Sequence, residues 1–310
     1  MTTTQCTSCP RECGALRRNP NGEDARMGWC AIPGDAPVIS AICRHFGEEP
    51  VLGGASGVVN VFFTHCNLAC IYCQNMEISN RLLPIPPAVP VDEAVRRIQE
   101  MLEQGARAVG FVSPSHQVRA CQAIIRLLRS RGARAPIIYN SSGYDSVASL
   151  RALEGDIDIW LPDYKYADPD LALKLSSCAD YPVQAMRAIL EMRRQAGTTL
   201  ELDDDGLAAR GLIIRHLVLP GHIANSRSCL EAIAENISTR VYISLMAQYH
   251  PRAGLEAPLD RTLQPSEYAE IVAYFYALGF SHGFVQELIS HDSFLPDFSR
   301  GENAFGTAGE

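Results

Sequence analysis

Gly53, Gly54 and Gly57 mark a change in how apolar and polar positions are arranged. Directly after them, Val58 to Thr64 is a β-branched and aromatic run, long enough for a buried strand and too short for a typical helix. Strand-like runs then alternate with helix-like stretches, the signature of βα units around a parallel sheet. The pattern predicts strands over Ala108–Val112, Pro136–Asn140, Ile157–Leu161, Leu212–Val218 and Val241–Leu245. Between and after them it predicts helices over Val91–Gln104, Gln117–Arg129, Asp168–Gln195, Ser226–Glu235 and Pro265–Leu278. The first helix opens with Asp92 and Glu93, acids that suit the positive end of a helix dipole. Asp203 to Gly206 reads as an acidic turn without assigned chemistry.

Six strands are too few for a closed eightfold barrel, so the chain reads as an α/β partial barrel with active residues at the C-terminal strand ends. Residues 1–57 read instead as irregular, with Cys6, Cys9, Cys13 and Cys30 set among Pro, Gly and charged residues. The expected division is a Cys-rich N-terminal lobe over 1–57, the partial barrel over 58–290 and a C-terminal tail over 291–310.

Composition narrows the class. Of 310 residues, 47% are hydrophobic and 20% charged, which suits a globular enzyme and excludes a disordered or fibrous chain. A net charge of −8 without any basic run argues against nucleic acid as a partner. Met1 to Gln5 lack the basic and apolar segments of a signal peptide, and no apolar stretch approaches the roughly 20 residues of a bilayer span. The expectation is a cytoplasmic protein away from membranes. Of eleven cysteines, seven fall in two groups near the start of the chain, Cys6 to Cys30 and Cys66 to Cys73, which points to metal rather than disulfides. Cys43, Cys121, Cys178 and Cys229 lie outside the two groups.

The segment from Thr64 to Asn75 places Cys66, Cys70 and Cys73 at x3 and x2 spacing just beyond the first predicted strand. Three thiolates can hold a cubane while leaving one iron without a protein ligand. That open iron can chelate the amino and carboxylate groups of S-adenosylmethionine (SAM), bringing its sulfonium within reach of an electron. A zinc site completed by His65 is the competing reading of Cys and His at short spacing. Tyr72 reads as a packing residue against the loop.

This CxxxCxxC loop, with an aromatic residue before its third cysteine, resembles the radical SAM superfamily. Over nearly the whole chain the likeness is to uncharacterised relatives of pyruvate formate-lyase activating enzyme. It is carried by Cys-x-x-Cys-Pro-Arg-x-Cys-Gly at Cys6 to Gly14 and by Cys-Asn-Leu-x-Cys-x-Tyr-Cys-Gln-Asn at Cys66 to Asn75. The resemblance implies a [4Fe–4S] cluster on Cys66, Cys70 and Cys73 that cleaves SAM reductively to a 5′-deoxyadenosyl radical for hydrogen abstraction. It also implies an electron donor such as flavodoxin or ferredoxin, and activation of a glycyl radical enzyme as the leading role. Radical modification of a small molecule, peptide or RNA is the alternative within enzymes. A nonenzymatic iron–sulfur electron carrier is the alternative outside them.

The candidate SAM-holding residues sit at strand ends. Asn140 and Ser142 lie in the polar turn Tyr139 to Tyr144, whose family counterpart helps hold the ribose. Asn140 stands where activating enzymes typically carry an aspartate. Asp163 and Lys165, two residues apart, point the same way in extended backbone. By resemblance Lys165 pairs with the SAM carboxylate and Asp163 with the ribose or a neighbouring donor; an exposed ion pair is the bland reading. His250 resembles a strand-end histidine near SAM. Arg215 and His216 are adjacent and face opposite sides, with Arg215 as the inward cation. Ser113 stands where the superfamily usually has a Gly-Gly-Glu segment that meets the SAM ammonium, and Ser113 or backbone carbonyls replace the missing acid.

Cys6, Cys9, Cys13 and Cys30 supply four thiols, the full coordination of either a structural zinc or a second cubane. Cys43 and His45 are possible substitutes among these ligands.

Overall fold

A computed structural model describes residues 4–17, 27–288 and 296–305 of the chain. Its centre is a nine-stranded sheet. In chain order its strands are β1 (Ile39–His45), β2 (Val58–Phe63), β3 (Ala108–Val112), β4 (Ile137–Ser141), β5 (Ile159–Pro162), β6 (Ala208–Leu217), β7 (Tyr242–Met246) and β8 (Gly283–Val285). Glu201–Leu202 forms a short ninth strand antiparallel to β6. Neighbours in the sheet are neighbours in sequence, and every pair from β2 to β8 is parallel. Besides the short ninth strand, β1 at the edge runs antiparallel, against β2.

Helices follow the strands as α1 (Val91–Glu103), α2 (Val118–Ser130), α3 (Val147–Ala152), α4 (Pro169–Ser176), α5 (Tyr181–Ala196), α6 (Ile223–Asn236) and α7 (Pro265–Ala277). In α1, Ala94, Val95, Ile98 and Met101 are buried, a helical period that turns one face to the sheet. Strand alternation completes the layering. Val59, Val61, Phe63, Val109 and Phe111 join the core under the helices. Val58, Ala108, Ile138, Ile159, Leu161 and Ile213 form a second apolar cluster on the inner face.

Two expectations change. The segment read as irregular contains β1, whose Cys43 is fully buried beside Ala41, Phe62, Val112 and Ala304. Cys43 and His45 therefore belong to the sheet and do not substitute among the N-terminal thiols. The long helix predicted over 168–195 is two helices. Asp168 caps α4 by accepting from the backbone N–H groups of Asp170 and Leu171, and Ser177 ends it at a positive φ of 51°. Pro182 then opens α5 in its first turn, where a missing N–H costs nothing.

Of the predicted tail, residues 291–295 and 306–310 lie outside the described residues, as do positions 289 and 290. Its described part turns through a 3-10 helix, Phe298–Asn303, and sets Phe298 edge-on against Phe62 at 5.2 Å. The predicted acidic turn is present: Asp203 accepts from the backbone N–H groups of Asp205 and Leu207. No helix among the described residues is long and apolar enough to cross a membrane.

Candidate functional site

The loop after β2 begins with His65 in a left-handed conformation, φ 64°, which bends the chain immediately before Cys66. Both His65 ring nitrogens face carbonyl oxygens, Nδ1 that of Cys30 at 2.9 Å and Nε2 that of Leu83 at 3.1 Å. The ring is thus committed to holding backbone, which removes it as the fourth ligand of the zinc reading. Cys66, Cys70 and Cys73 share one electrostatic neighbourhood. Burial pushes the Cys66 thiol up to about 12, and the charges of Cys70 and Cys73 add to that effect. Cys70 is raised chiefly by burial as well, with Lys165 opposing it. At neutral pH the Cys66 and Cys70 thiols keep their protons until something positive displaces them, and metal does this.

Hydrogen-bond donors surround the sulfurs. The Leu68 N–H points to Cys66 Sγ at 3.4 Å, the Ser79 hydroxyl to Cys73 Sγ at 3.2 Å and the Ser176 hydroxyl to Cys70 Sγ at 3.0 Å. Ser176 ends a buried hydroxyl chain, Tyr72 to Tyr166 at 2.5 Å and Tyr166 to Ser176 at 2.7 Å. Tyr72 packs as the sequence suggests and also joins this chain. Nothing in the local sequence marks Ser176, which comes from α4 about one hundred residues later.

Beyond β5, Asp163 and Lys165 form an ion pair of 2.5 Å with side chains only 17% and 16% exposed, so the pair is not a surface decoration. Burial alone pulls the Lys165 ammonium down, but Asp163 and then the Cys70 charge outweigh it and hold it above its ordinary value. The adjoining turn after β4 needs glycine. Gly143 has φ 77°, and a side chain there would meet the Asp163 carbonyl at 2.2 Å. Ser142 Oγ in that turn is buried without a hydrogen-bond partner among the described residues. Such an orphan fits a bound hydroxyl better than an empty core. Ser113, at φ 53°, donates its N–H to the Asn140 carbonyl at 2.8 Å, joining the ends of β3 and β4.

The Asn140 side chain faces a cavity of about 370 Å³. Residues of the segment after β1 and of β8, the two sheet edges, both line it, so the sheet curls around this space. Gln74 and Asn75 line it beside the cysteine loop, and Gln74 Nε2 donates to the Gln248 carbonyl at 2.7 Å. His250 follows two residues later, is half-buried and does not line the cavity. Arg215 does, as the inward cation, with Nε 2.7 Å from Glu49 Oε1 and Nη2 bonded to both Glu48 and Glu49. Burial would raise the Glu48 carboxyl, but Arg215, with hydrogen bonds from His45 and Asn60, holds it well below its ordinary value. The sequence reading missed both glutamates.

The N-terminal thiols are also neighbours. Burial raises Cys9 to about 12, and the charges of Cys30, Cys6 and Cys13 contribute. A two-residue ladder, Thr4–Gln5 against Leu16–Arg17, closes this hairpin-like lobe. Among the described residues, no group of three or more His, Cys, Asp or Glu side chains is arranged to hold a metal ion as it stands.

No family model matches the chain. An uncharacterised protein of Methanocaldococcus jannaschii is 25% identical over 256 residues, which cover 79% of this chain and 66% of that protein. Streptococcus suis SuiB, in its complex with the precursor peptide SuiA, superposes with a TM-score of 0.51 at 12% identity, covering 76% of this chain and 50% of that one. A radical SAM methyltransferase from Sphaerobacter thermophilus gives 0.50 at 15% identity, over 73% and 65% of the two chains. HydG, a maturase of the [FeFe]-hydrogenase, gives 0.50 at 12% identity, over 81% and 57%. The chain thus spans between half and two thirds of the length of these proteins. The likeness to the solved structures shows a shared fold, the partial barrel of radical SAM enzymes.

Proposed function

We propose that this chain is a radical SAM enzyme whose Cys66, Cys70 and Cys73 hold a [4Fe–4S] cluster with one iron open to SAM. The observation that carries the reading is the cysteine loop itself: buried thiols at one strand end, each sulfur met by a donor, with the Lys165–Asp163 pair alongside. When bound, cluster and SAM supply the electron and the bond cleavage that give methionine and a 5′-deoxyadenosyl radical. The chain supplies position and charge. Donors to the sulfurs offset the thiolate charge of a buried site. Lys165, paired with Asp163, would hold the SAM carboxylate, Asp163 would also accept from the ribose, and Asn140 and Ser142 would hydrogen-bond its hydroxyls. Ser113 and neighbouring carbonyls would take the ammonium, and His250 would lie near SAM. The inner cavity, about 370 Å³, offers the space for the hydrogen donor.

The finer assignment is to activating enzymes of glycyl radical proteins, supported by the motifs at Cys6–Gly14 and Cys66–Asn75. A flavodoxin or ferredoxin provides the electron, and a cytoplasmic setting suits the reduced thiols. Cys6, Cys9, Cys13 and Cys30 bind a separate metal, zinc or a second cubane. The test is electron paramagnetic resonance on anaerobically reconstituted, reduced protein. A cubane signal that changes on adding SAM is expected; a signal indifferent to saturating SAM contradicts the reading and favours a simple electron carrier.

A further inference from the structure

The N-terminal lobe grips the cysteine loop at two points. Arg11, between Cys9 and Cys13, donates from Nε to the Asn67 carbonyl at 2.9 Å and from Nη1 to the Ser177 carbonyl at 2.7 Å. A longer contact runs from Nη2 to the Ser176 carbonyl at 3.4 Å. Its guanidinium also lies 4.0 Å from the Trp29 ring centroid and 5.5 Å from that of Tyr144. In the other direction, the ring of His65 meets the Cys30 carbonyl. The segments that Arg11 joins are not arbitrary. Asn67 lies within the Cys66–Cys70 interval, and Ser176 is the residue whose hydroxyl points at Cys70 Sγ.

We propose that Arg11 is a positioning residue for the cluster, fixing the end of α4 against the cysteine loop so that Ser176 donates to Cys70. The proposal rests on the reading of Cys66, Cys70 and Cys73 as cluster ligands. A planar guanidinium presents five donors in a fixed fork, so it can satisfy carbonyls from two segments at once; an ammonium is a point charge without that geometry. Aromatic rings beside the guanidinium hold its plane. A donor to a cluster sulfur favours the more negative, reduced state, so its placement adjusts the reduction potential. The lobe thereby has a task at the cluster whichever metal its own thiols carry. A lobe that merely covered the barrel would show the same fold without affecting the cluster's potential.

The test compares wild type with Arg11→Ala and Arg11→Lys, all purified anaerobically. Amide exchange read by mass spectrometry should rise roughly tenfold or more in residues 66–75 and 171–178 of Arg11→Ala, the loss of charge-assisted bonds that order both segments. Exchange in α7 serves as the internal control and should not change. At equal iron content, the cluster midpoint of Arg11→Ala should move below that of wild type, with Arg11→Lys between them. Wild-type exchange in both segments overturns the proposal, and so does faster exchange with an unmoved midpoint, which leaves Arg11 a staple only. If Arg11→Ala does not fold, Arg11→Lys carries the test: wild-type exchange and midpoint in that variant overturn it equally. Wild-type protein without any cluster signal would overturn the underlying reading, and iron analysis with resonance spectra identifies that case separately.

Discussion

Lys165 shows how much a single side chain's surroundings decide. On the sequence it is one of two charges at a strand end; in the structure it is mostly buried, paired with Asp163 and close enough to the cysteines to oppose the rise of Cys70. A charge-assisted hydrogen bond is worth about 1.5–3 kcal/mol, so Lys165→Ala should lower SAM affinity roughly ten- to a hundredfold. Cluster absorbance should stay intact, because in the proposed arrangement Lys165 holds SAM and not the iron. Equilibrium binding of SAM to the reconstituted variant checks this, and wild-type affinity would contradict the assignment. Cys66, Cys70 and Cys73 stood out in the sequence because three like residues recur at short, regular spacing just after a strand-like run. Arg11 and Ser176 did not, because their meaning arises only where distant segments meet.

At the level of elements, β6 illustrates what alternation settles. Arg215 turns into the cavity, while His216 turns outward and is fully buried. A neutral His216 ring donates from Nδ1 to the Tyr164 carbonyl at 2.7 Å and accepts at Nε2 from the Ser226 hydroxyl at 2.9 Å, tying β6 to the strand-end segment and to α6. Burial lowers its pKa from 6.5 to about 4. Between those values the unfolded chain binds the proton and the folded chain does not, so stability falls as pH drops from 6.5 to 4 and levels off below. The shift corresponds to about 3 kcal/mol. Urea unfolding at pH 7 and pH 4 should show wild type losing about that much more than His216→Gln; equal losses would contradict the assignment. The parallel strands were legible from their apolar runs. β1 was not, because Ile39 to His45 lacks a clean alternation and sits in a Cys- and Pro-rich stretch, and the break after α4 was hidden because serine seldom adopts φ 51°. Pro182 was the available signal.

Across the whole molecule, Arg215 in the sixth strand reaches Glu48 and Glu49, more than 160 residues earlier, and joins the segment after β1 to the middle of the sheet. The partial barrel was legible from alternating elements, but this cross-barrel pairing was not, since no periodicity records it. All three side chains are at most 14% exposed. Arg215→Met would strand two buried carboxylates and should cost about 3–5 kcal/mol in urea unfolding; a loss under about 1 kcal/mol would mean water already screens the group. The fold gathers a curled sheet, an inner cavity and a cysteine loop at one end, and we propose that this end cleaves SAM. The direct measurement is 5′-deoxyadenosine release by anaerobically reconstituted protein given a strong reductant and SAM, compared with Cys70→Ser and with the Cys66/Cys70/Cys73 triple serine variant. Release by wild type and none by either variant is the predicted result; undiminished release by the triple variant would contradict the account.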